Sequence, residues 1–191
     1  MARPLSEEKR NALLAAAAEL VAALGTAAPT AKIAKAAGVS EGTLFTYFPT
    51  KDDLLNELYV EIESSLAETI LAPYPASEDA RERLRLIWCR ALEWGLANPI
   101  WRKAMRQLKV SENVTDVTRR RCEARFRELR EMVEDSLAGH ADPDFAAFYI
   151  DTVLHGLADM VMDAIAANPK DREIINEAGF ALFWNGTARA A

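Results

Sequence analysis

The stretch TAKIAKAAGVSEGTLFTYFPTKDDLL, residues 30–55, holds helix starts and stops at close intervals. Gly38 should close one short helix. Ser40 should cap a second helix, which must end before Pro49 because the residue preceding proline is pushed out of helical geometry. Two short helices that meet at a glycine-bearing turn predict a helix-turn-helix.

The flanking sequence is helical as well. Ser6 and Gly25 should bound a first helix, and Thr30 is the expected N-cap of the second. Thr50 should open a long fourth helix, since it forms a T-x-x-D capping box with Asp53. The elements of the helix-turn-helix are therefore expected within residues 1–50.

Helical periodicity continues downstream, and no stretch alternates long enough to predict a strand. After the fourth helix, further helices are expected at about 77–97, 98–110, 115–137, 143–167 and 171–184. The sequence therefore predicts an all-α fold of about nine helices. It consists of an N-terminal helix-turn-helix domain, residues 1–50, and a larger helical domain, residues 51–191.

Composition is that of an ordinary soluble globular protein, with 191 residues of which 50% are hydrophobic and 27% are charged. The first ten residues lack the apolar core of a secretory signal, and no 18-residue run lacks charge. We therefore expect a cytoplasmic protein without a membrane partner. Cys89 and Cys122 are far apart in the chain, so buried thiols are expected rather than a disulfide, a zinc site or a redox pair.

Charge is distributed unevenly along the chain. Residues 1–51 hold six basic and four acidic side chains, a balance of +2, whereas the rest holds 17 basic and 25 acidic ones, a balance of −8. An anionic partner should therefore meet the N-terminal quarter.

The helix after Ser40 has two different sides. At about 100° per residue, Leu44 and Phe48 mark its buried side, while small and hydroxyl residues point away and aromatic rings flank them. The outward residues are Gly42, Thr43 and Thr46, and the flanking rings are Phe45 and Tyr47. This strip fits the DNA major groove, where threonine can reach base edges and a tyrosine hydroxyl can reach phosphate. An ordinary surface helix whose rings pack on neighbours is the alternative.

Cationic and hydroxyl side chains on both sides favour the DNA interpretation. Thr30, Lys32 and Lys35 come from the second helix, as expected of the helix that crosses the backbone. Lys51 lies in the first turn of the fourth helix, where a lysine opposes the helix dipole. A phosphate partner would explain its placement there.

Residues 9–58 resemble the DNA-binding domain of the TetR/AcrR family of bacterial repressors. The motifs IAKAAGVS, GTLFTYF and TKDDLL carry the resemblance, whereas the rest of the chain is similar only in length, helical order and a closing pair of apolar helices. The resemblance implies a homodimer with one helix-turn-helix per subunit, which represses promoters until a small molecule binds the C-terminal domain. Residues 51–191 would then serve ligand binding and dimerisation.

Together, the pattern and the resemblance assign DNA contacts to nine residues. They are Thr30, Lys32, Glu41, Gly42, Thr43, Phe45, Thr46, Tyr47 and Lys51. Thr30, Tyr47 and Lys51 would contact phosphate, whereas Phe45 replaces the tyrosine that is usual in the family and lacks its hydroxyl contact. Glu41 could accept from cytosine N4 or cap the first turn of its helix, and capping is the favoured interpretation.

Apolar stripes on the last two helices could form a four-helix dimer interface. The expected interface residues are Leu154, Leu157, Val161, Ile175, Leu182 and Phe183. The alternative is that both stripes pack inward. Sedimentation at micromolar protein concentration would distinguish the two.

Large side chains in the larger domain indicate an apolar or aromatic small-molecule effector, although each alone is more often core than pocket. The candidate residues are Trp88, Trp101, Met105, Phe126, Phe148 and His155. No cofactor and no metal are predicted. We hypothesise that the bound effector tilts the long fourth helix and changes the spacing of the paired recognition helices.

Two charged patterns favour plain surface roles. Asp151, His155, Asp159 and Asp163 recur at four-residue intervals, either as a metal or cationic-ligand site or, preferably, as a solvated or ion-paired ridge. In RRRCEARFRELR, residues 119–130, glutamates interleave with arginines at pairing distance, which favours a solvated helix over an anion site.

An enzyme is disfavoured, because the chain lacks a glycine-rich phosphate loop and a nucleophile motif. The sequence predicts a ligand-responsive, sequence-specific DNA-binding regulator, a repressor that leaves a palindromic operator when its effector binds. The remaining alternative is an all-helical interaction or ligand-binding module without DNA binding.

Overall fold

The computed structural model describes residues 6–73 and 79–189. Within these ranges the regular elements are helical, so the predicted all-α fold is confirmed. The helices are α1 (Glu7–Leu24), α2 (Thr30–Ala36), α3 (Glu41–Tyr47), α4 (Lys51–Ile70), α5 (Ala80–Ala97), α6 (Pro99–Lys109), α7 (Asp116–Arg125), α8 (Arg127–Leu137), α9 (Pro143–Ala167) and α10 (Arg172–Thr187).

Local capping sets the helix ends in the N-terminal region. The Ser6 and Ser40 side chains accept from the backbone N–H groups of Lys9 and Thr43, at the starts of α1 and α3. Gly25 adopts φ 73° directly after α1, a positive φ that glycine tolerates better than residues with a side chain. These ends agree with the prediction.

The capping box of α4 is also formed. Thr50 Oγ1 accepts from the Asp53 N–H at 3.0 Å, and Asp53 Oδ2 accepts from the Thr50 N–H at 2.9 Å. Each residue therefore satisfies a backbone donor that would otherwise lack a partner within the helix.

The start of α2 differs from the prediction. Its N-cap is Pro29, with φ −69° and ψ 132°, and Thr30 is the first helical residue. The prediction of Thr30 as the N-cap is therefore wrong, because its hydroxyl donates to Glu41 instead of capping α2. Ser77, the predicted start of the fifth helix, lies outside the described residues, and Asp79 accepts from the N–H of Glu82 in the first turn of α5.

The predicted single helix over 115–137 is two helices. Phe126, with φ −91° and ψ 3°, separates α7 from α8. The sequence has no glycine or proline at this position, and the alternation of arginine and glutamate continues across it. The break therefore had no signal in the sequence.

Helix α9 is irregular near its start. It begins with a 3₁₀ turn at Pro143–Phe145 and contains a π-helical segment at Tyr149–Leu154. The Nδ1–H of His155 donates to the backbone oxygen of Ile150 at 2.7 Å, which supplies a partner for a carbonyl of that segment.

The helices form two compact units. The first takes in the described residues of Met1–Ser65 and Asn98–Ala124. In it α1 packs against α2 and α6, and α2 packs against α3. Leu13, Ala17 and Ile33 are fully buried in its core. These units group residues by packing, whereas the functional division at residue 50 stays a prediction.

The second unit takes in the described residues of Leu66–Ala97 and Arg125–Ala191. Its core brings α5, α8, α9 and α10 around Trp88, Phe180 and Phe183, each at most 1% exposed. The indole N–H of Trp88 donates to Asn176 Oδ1 at 2.7 Å, so the one polar group of this ring is satisfied.

Candidate nucleic-acid interface

Helix α3 presents the surface that its sequence predicts. Leu44 and Phe48 are 0% and 2% exposed, so they anchor the helix. Gly42, Phe45 and Thr46 are exposed, and Thr43 and Tyr47 are half-buried. Gly42 and Thr46 are therefore open to a partner, and Thr43 is partly so.

Hydroxyl groups of α3 are bonded within the helix. Thr46 Oγ1 donates to the Gly42 carbonyl at 3.0 Å, and Thr43 Oγ1 lies 2.9 Å from Ser40 Oγ. Since the Thr46 proton is used locally, its oxygen remains as an acceptor and its methyl as an apolar contact. Both suit base edges in the major groove.

Glu41 bonds across the helix-turn-helix. The hydroxyl of Thr30 donates to Glu41 Oε1 at 2.6 Å. The predicted capping role of the Glu41 side chain is not what the structure shows, because Ser40 caps α3. Thr30 and Glu41 lie eleven residues apart, so helical spacing within one element could not indicate this contact.

Tyr47 connects the end of α3 to the start of α1. Its hydroxyl accepts from the Ser6 N–H at 2.9 Å, across 41 residues of sequence. The hydroxyl keeps its own proton, so it can still donate to a phosphate oxygen. This contact has no local sequence signal.

The basic side chains of residues 1–51 differ in how accessible they are to an anionic partner. Lys32 and Lys35 are exposed on α2, and Lys51 is half-buried at the start of α4. Arg10 instead pairs with Glu57 at 2.8 Å and with Glu61 at 3.5 Å. Arg3 lies outside the described residues.

The corner between α6 and α7 is hydrogen-bonded to the start of α4. The Asn56 amide donates to the Asn113 carbonyl, and the Asn113 amide donates to Asp52, both at 2.8 Å. The Thr115 N–H donates to Asn56 Oδ1 at 3.0 Å. These hydrogen bonds therefore fix Asp52 and Asn56, in the first two turns of α4 after Lys51, to the corner.

Glu63 is a buried acid on α4, 7% exposed. Burial raises its pKa above the ordinary value of 4.5, against the opposing effects of Lys109 and of a hydrogen bond from Tyr59. Burial, followed by the charge of Glu63, also raises the pKa of Tyr59.

The predicted effector residues have unequal exposure. Trp88 and Met105 are buried, at 1% and 7%, whereas Trp101 and Phe126 are half-buried. Phe148 is 52% exposed.

The two compact units divide these residues between them. Trp101 and Met105 belong to the first unit, and Trp88, Phe126, Phe148 and the exposed His155 to the second. A cavity of about 510 Å³ in the second unit is lined by Leu137, Pro143 and neighbouring residues but by none of the predicted set.

The predicted dimer residues fall into two groups. Leu154, Leu157 and Ile175 are half-buried and Leu182 is 64% exposed, so the side chain of each is accessible to a second subunit. Val161 and Phe183 are only 6% and 1% exposed, because they pack in the core of the second unit. Two further exposed apolar residues lie on the same helices, Met160 at 69% and Ile174 at 73%.

The polar row on α9 comprises Asp151, His155, Asp159 and Asp163, and its first residue forms an ion pair. Arg130 Nη1 and Nη2 bond the two carboxylate oxygens of Asp151 at 2.6 and 3.1 Å. The π-helical segment lies between Asp151 and His155, so the regular four-residue register is broken there. Among the described residues, no group of three or more His, Cys, Asp and Glu side chains is placed to hold a metal ion.

Known proteins match this chain in sequence and in fold. Residues 13–58 match the family described as "Bacterial regulatory proteins, tetR family". A nucleoid occlusion factor SlmA from Aliivibrio fischeri is 33% identical over 101 residues, 52% of each chain. The chain thus spans about half the length of the curated relatives it matches.

Solved structures match over nearly the full length. A tetR family transcription regulator from Shewanella sp. PV-4 is 28% identical with a TM-score of 0.83, over 95% of this chain and 99% of its own. One from Marinobacter aquaeolei VT8 is 25% identical with a TM-score of 0.79, over 96% and 97%. Residues 13–58 therefore match the TetR family, and the chain has the fold of transcription regulators of that family.

These matches support the predicted role in DNA-binding transcription regulation through a helix-turn-helix. The matched family and these two solved structures are described as transcription regulators, which agrees with the prediction that the chain is not an enzyme. The TetR-like regulator LfrR from Mycobacterium smegmatis, in complex with proflavine, shares the fold at 22% identity and a TM-score of 0.69, over 97% of this chain and 100% of its own.

Proposed function

We propose that this TetR-family protein is a homodimeric, ligand-responsive repressor that inserts two copies of α3 into a palindromic operator. One observation carries the proposal: α3 buries Leu44 and Phe48 while Gly42, Phe45 and Thr46 remain exposed within the family-matched region. An operator with two-fold symmetry follows from two-fold symmetry in the protein, with half-sites one helical turn apart.

Binding-site selection tests the proposal directly. Purified full-length protein would be incubated with random DNA duplexes at low salt, and bound sequences would be amplified over several rounds. We expect a palindromic sequence to be enriched. Enrichment of no sequence would favour the helical interaction module without DNA binding.

The nine predicted contact residues form the proposed interface, and Tyr47 should contribute most. Tyr47→Ala should weaken operator binding by more than about tenfold, because it removes a groove-wall ring and a phosphate contact. Tyr47→Phe is the matched control, since it keeps the ring but loses the hydroxyl that also accepts from Ser6. A gel-shift titration with unchanged affinity for both variants would contradict this assignment.

Lys51 should act through charge alone. Lys51→Ala should weaken all DNA sequences about equally and lower the slope of log affinity against log salt by roughly one. Lys170→Ala, at an exposed position of the second unit, is the charge-matched control and should leave the slope unchanged.

The proposed dimer interface lies on α9 and α10. Ile174, Ala178 and Leu182 are exposed at four-residue spacing on α10, and Met160 is exposed on α9. Among the described residues, α9 is the one helix long and apolar enough to cross a membrane, and only 22% of its apolar window is buried. A second copy of the chain would cover this surface without a membrane.

Sedimentation of a charged variant tests the interface. Leu182→Glu, alone or with Ile174→Glu, should shift the protein toward monomer at micromolar concentration. Val110→Glu is the control, because Val110 is 83% exposed but lies after α6 in the first unit. A fully dimeric Leu182→Glu/Ile174→Glu variant would contradict the proposed interface.

We further propose that residues 51–191 bind an apolar or aromatic effector near Phe126 and Phe148, whose rings are partly exposed. The residues of α4 contribute to both compact units, so a shift of α4 would affect the corner that holds Asp52 and Asn56. The spacing of the two recognition helices would then leave the roughly 34–36 Å that successive major grooves require. As a regulator of promoters, the protein would act in the cytoplasm.

Thermal-shift screening of aromatic compounds, with proflavine as the first probe, would test effector binding. A ligand should raise the unfolding temperature and weaken the operator complex. Phe148→Ala should reduce the response to ligand while leaving operator affinity unchanged. A compound that stabilises the protein without weakening the operator complex would contradict the switch.

A further inference from the structure

The side chain of Glu41 is fixed at one oxygen. Glu41 is the first residue of α3 and is exposed, and Thr30 Oγ1 at the start of α2 donates to its Oε1 at 2.6 Å. A carboxylate has about four acceptor sites and no donor. The hydrogen bond therefore orients the group and leaves acceptor capacity on Oε2.

An acceptor-only group at this place discriminates between bases. In a helix-turn-helix, the N-terminal residues of the second helix meet base edges in the major groove. Guanine presents the acceptors N7 and O6 there, and thymine presents O4, so both repel a carboxylate. Cytosine presents the N4 amino donor, which is the usual partner of glutamate, whereas adenine presents its N6 amino donor next to the N7 acceptor, which repels the second carboxylate oxygen.

We propose that Glu41 is a specificity-determining residue that selects cytosine at one position of each operator half-site, and that Thr30 is the positioning residue that holds it. The inference rests on the proposed DNA-binding function and adds a base preference to it. A hydroxyl has one proton, and in this structure the Thr30 proton goes to Glu41. This positioning role therefore replaces the predicted phosphate contact of the Thr30 hydroxyl.

The negative charge of Glu41 should improve base specificity but lower the overall affinity for DNA. A carboxylate close to the DNA backbone repels phosphate in every sequence alike. Specificity is the difference between the affinities for the right and the wrong sequence. A group that weakens binding to wrong bases can therefore increase specificity while lowering the affinity for DNA in general. The exposed Lys32 and the half-buried Lys51, which are predicted DNA contacts, would offset the common cost through their positive charge.

The test begins with the sequence enriched by the wild-type protein. Gel shifts would then compare four operators that differ only at the base pair under study. The wild type should prefer cytosine by about tenfold or more over guanine. Glu41→Ala should bind all four operators with about equal affinity.

Glu41→Gln gives a qualitative outcome. An amide both donates and accepts, and glutamine pairs with adenine N6 and N7. The preferred base should therefore change from cytosine to adenine. Glu19→Gln is the matched control: it removes one negative charge from an exposed position of α1 and should leave the base profile unchanged.

Thr30→Val separates positioning from phosphate contact, because valine keeps the shape of threonine and removes the hydroxyl. Positioning predicts a several-fold loss confined to the cytosine operator, and no further loss when Thr30→Val is added to Glu41→Ala. A phosphate contact predicts an equal loss on all four operators in both backgrounds, and that result would overturn the role of Thr30.

Two outcomes overturn the proposal for Glu41, and they are distinguishable. If the wild type enriches a sequence but the base profile of Glu41→Gln and Glu41→Ala is unchanged, DNA binding stands and the role of Glu41 is wrong. If the wild type enriches no sequence at all, the DNA-binding function itself fails. Circular dichroism of each variant would confirm that the fold is retained.

Discussion

Helices α3 and α10 each contain a glycine at a position where alanine would favour the helix. A Cβ on Gly179 of α10 would lie 2.4 Å from Val161 Cγ2 and 3.1 Å from Trp88 Cζ2, so packing requires glycine there. A Cβ on Gly42 of α3 would lie 3.9 Å from Ser40 Oγ, an ordinary contact. Folding explains the first glycine but not the second.

The contrast indicates where to look for function. A buried position is constrained by its neighbours in the chain, whereas an exposed position that weakens its own helix requires another reason. Close approach of α3 to DNA is such a reason, because a glycine lets the two backbones come nearer than any side chain would.

The largest effect on stability should come from Gly179→Ala. The added methyl would displace the branched side chain of Val161 in a packed core, at a cost of about 1–3 kcal/mol despite the gain in helix propensity. Urea unfolding would measure it. Gly186→Ala, on the same helix and with no atom within 4 Å of the added Cβ, is the control. An equally stable Gly179→Ala variant would remove the packing explanation.

Gly42→Ala should act in the opposite direction on stability. It should raise the free energy of unfolding by up to about 1 kcal/mol, since alanine favours the helix. Operator affinity should fall by about tenfold, which corresponds to about 1.4 kcal/mol. Urea unfolding and gel shifts on the same preparation would measure both. Unchanged operator affinity would mean that α3 tolerates a side chain here and that the contrast with Gly179 is not functional.

Local chemistry explains which features the sequence predicted. The ends of α1, α3 and α4 are set by Ser6, Ser40 and the Thr50–Asp53 box, which act within three residues of themselves. The buried side of α3 follows from helical periodicity, because Leu44 and Phe48 lie on one face.

Long-range contacts explain what the sequence could not predict. The bond from Thr30 to Glu41 and that from Ser6 to Tyr47 depend on how helices meet, and no spacing rule indicates them. The same holds for Val161, whose apolar position on α9 fits an interface as well as a core until packing decides. Periodicity identifies an apolar face but not what covers it.

Thr50 is an exposed residue next to Lys51, which belongs to the proposed DNA interface, yet its side chain has a folding role. Thr50→Ala should lower the free energy of unfolding by about 1 kcal/mol through loss of the cap. Thr50→Ser keeps the hydroxyl that accepts from the Asp53 N–H and should restore most of the stability. Thermal unfolding would compare the three proteins. Equal stability of Thr50→Ala and wild type would show that the capping box is dispensable.

Glu63 is the opposite case to Thr50, because it is a buried residue whose charged form destabilises the fold. Burial raises its pKa above 4.5 in the folded protein, so the fold prefers the protonated acid. The stability linked to Glu63 is therefore fully present below about pH 4.5 and is lost as the pH rises through the folded pKa. Above the folded pKa, the ionised carboxylate costs stability.

Glu63→Gln should remove this cost, because glutamine stays neutral and its carbonyl can still accept from the Tyr59 hydroxyl. We expect the variant to be more stable than wild type at pH 8, by less than the other effects, and the difference to shrink toward pH 4.5. Glu61→Gln, two residues away and partly exposed beside Arg10, should show no such gain. A gain in Glu63→Gln that is equal at pH 5 and pH 8 would mean that charge is not its cause, because only an ionisable group makes stability depend on pH in this way.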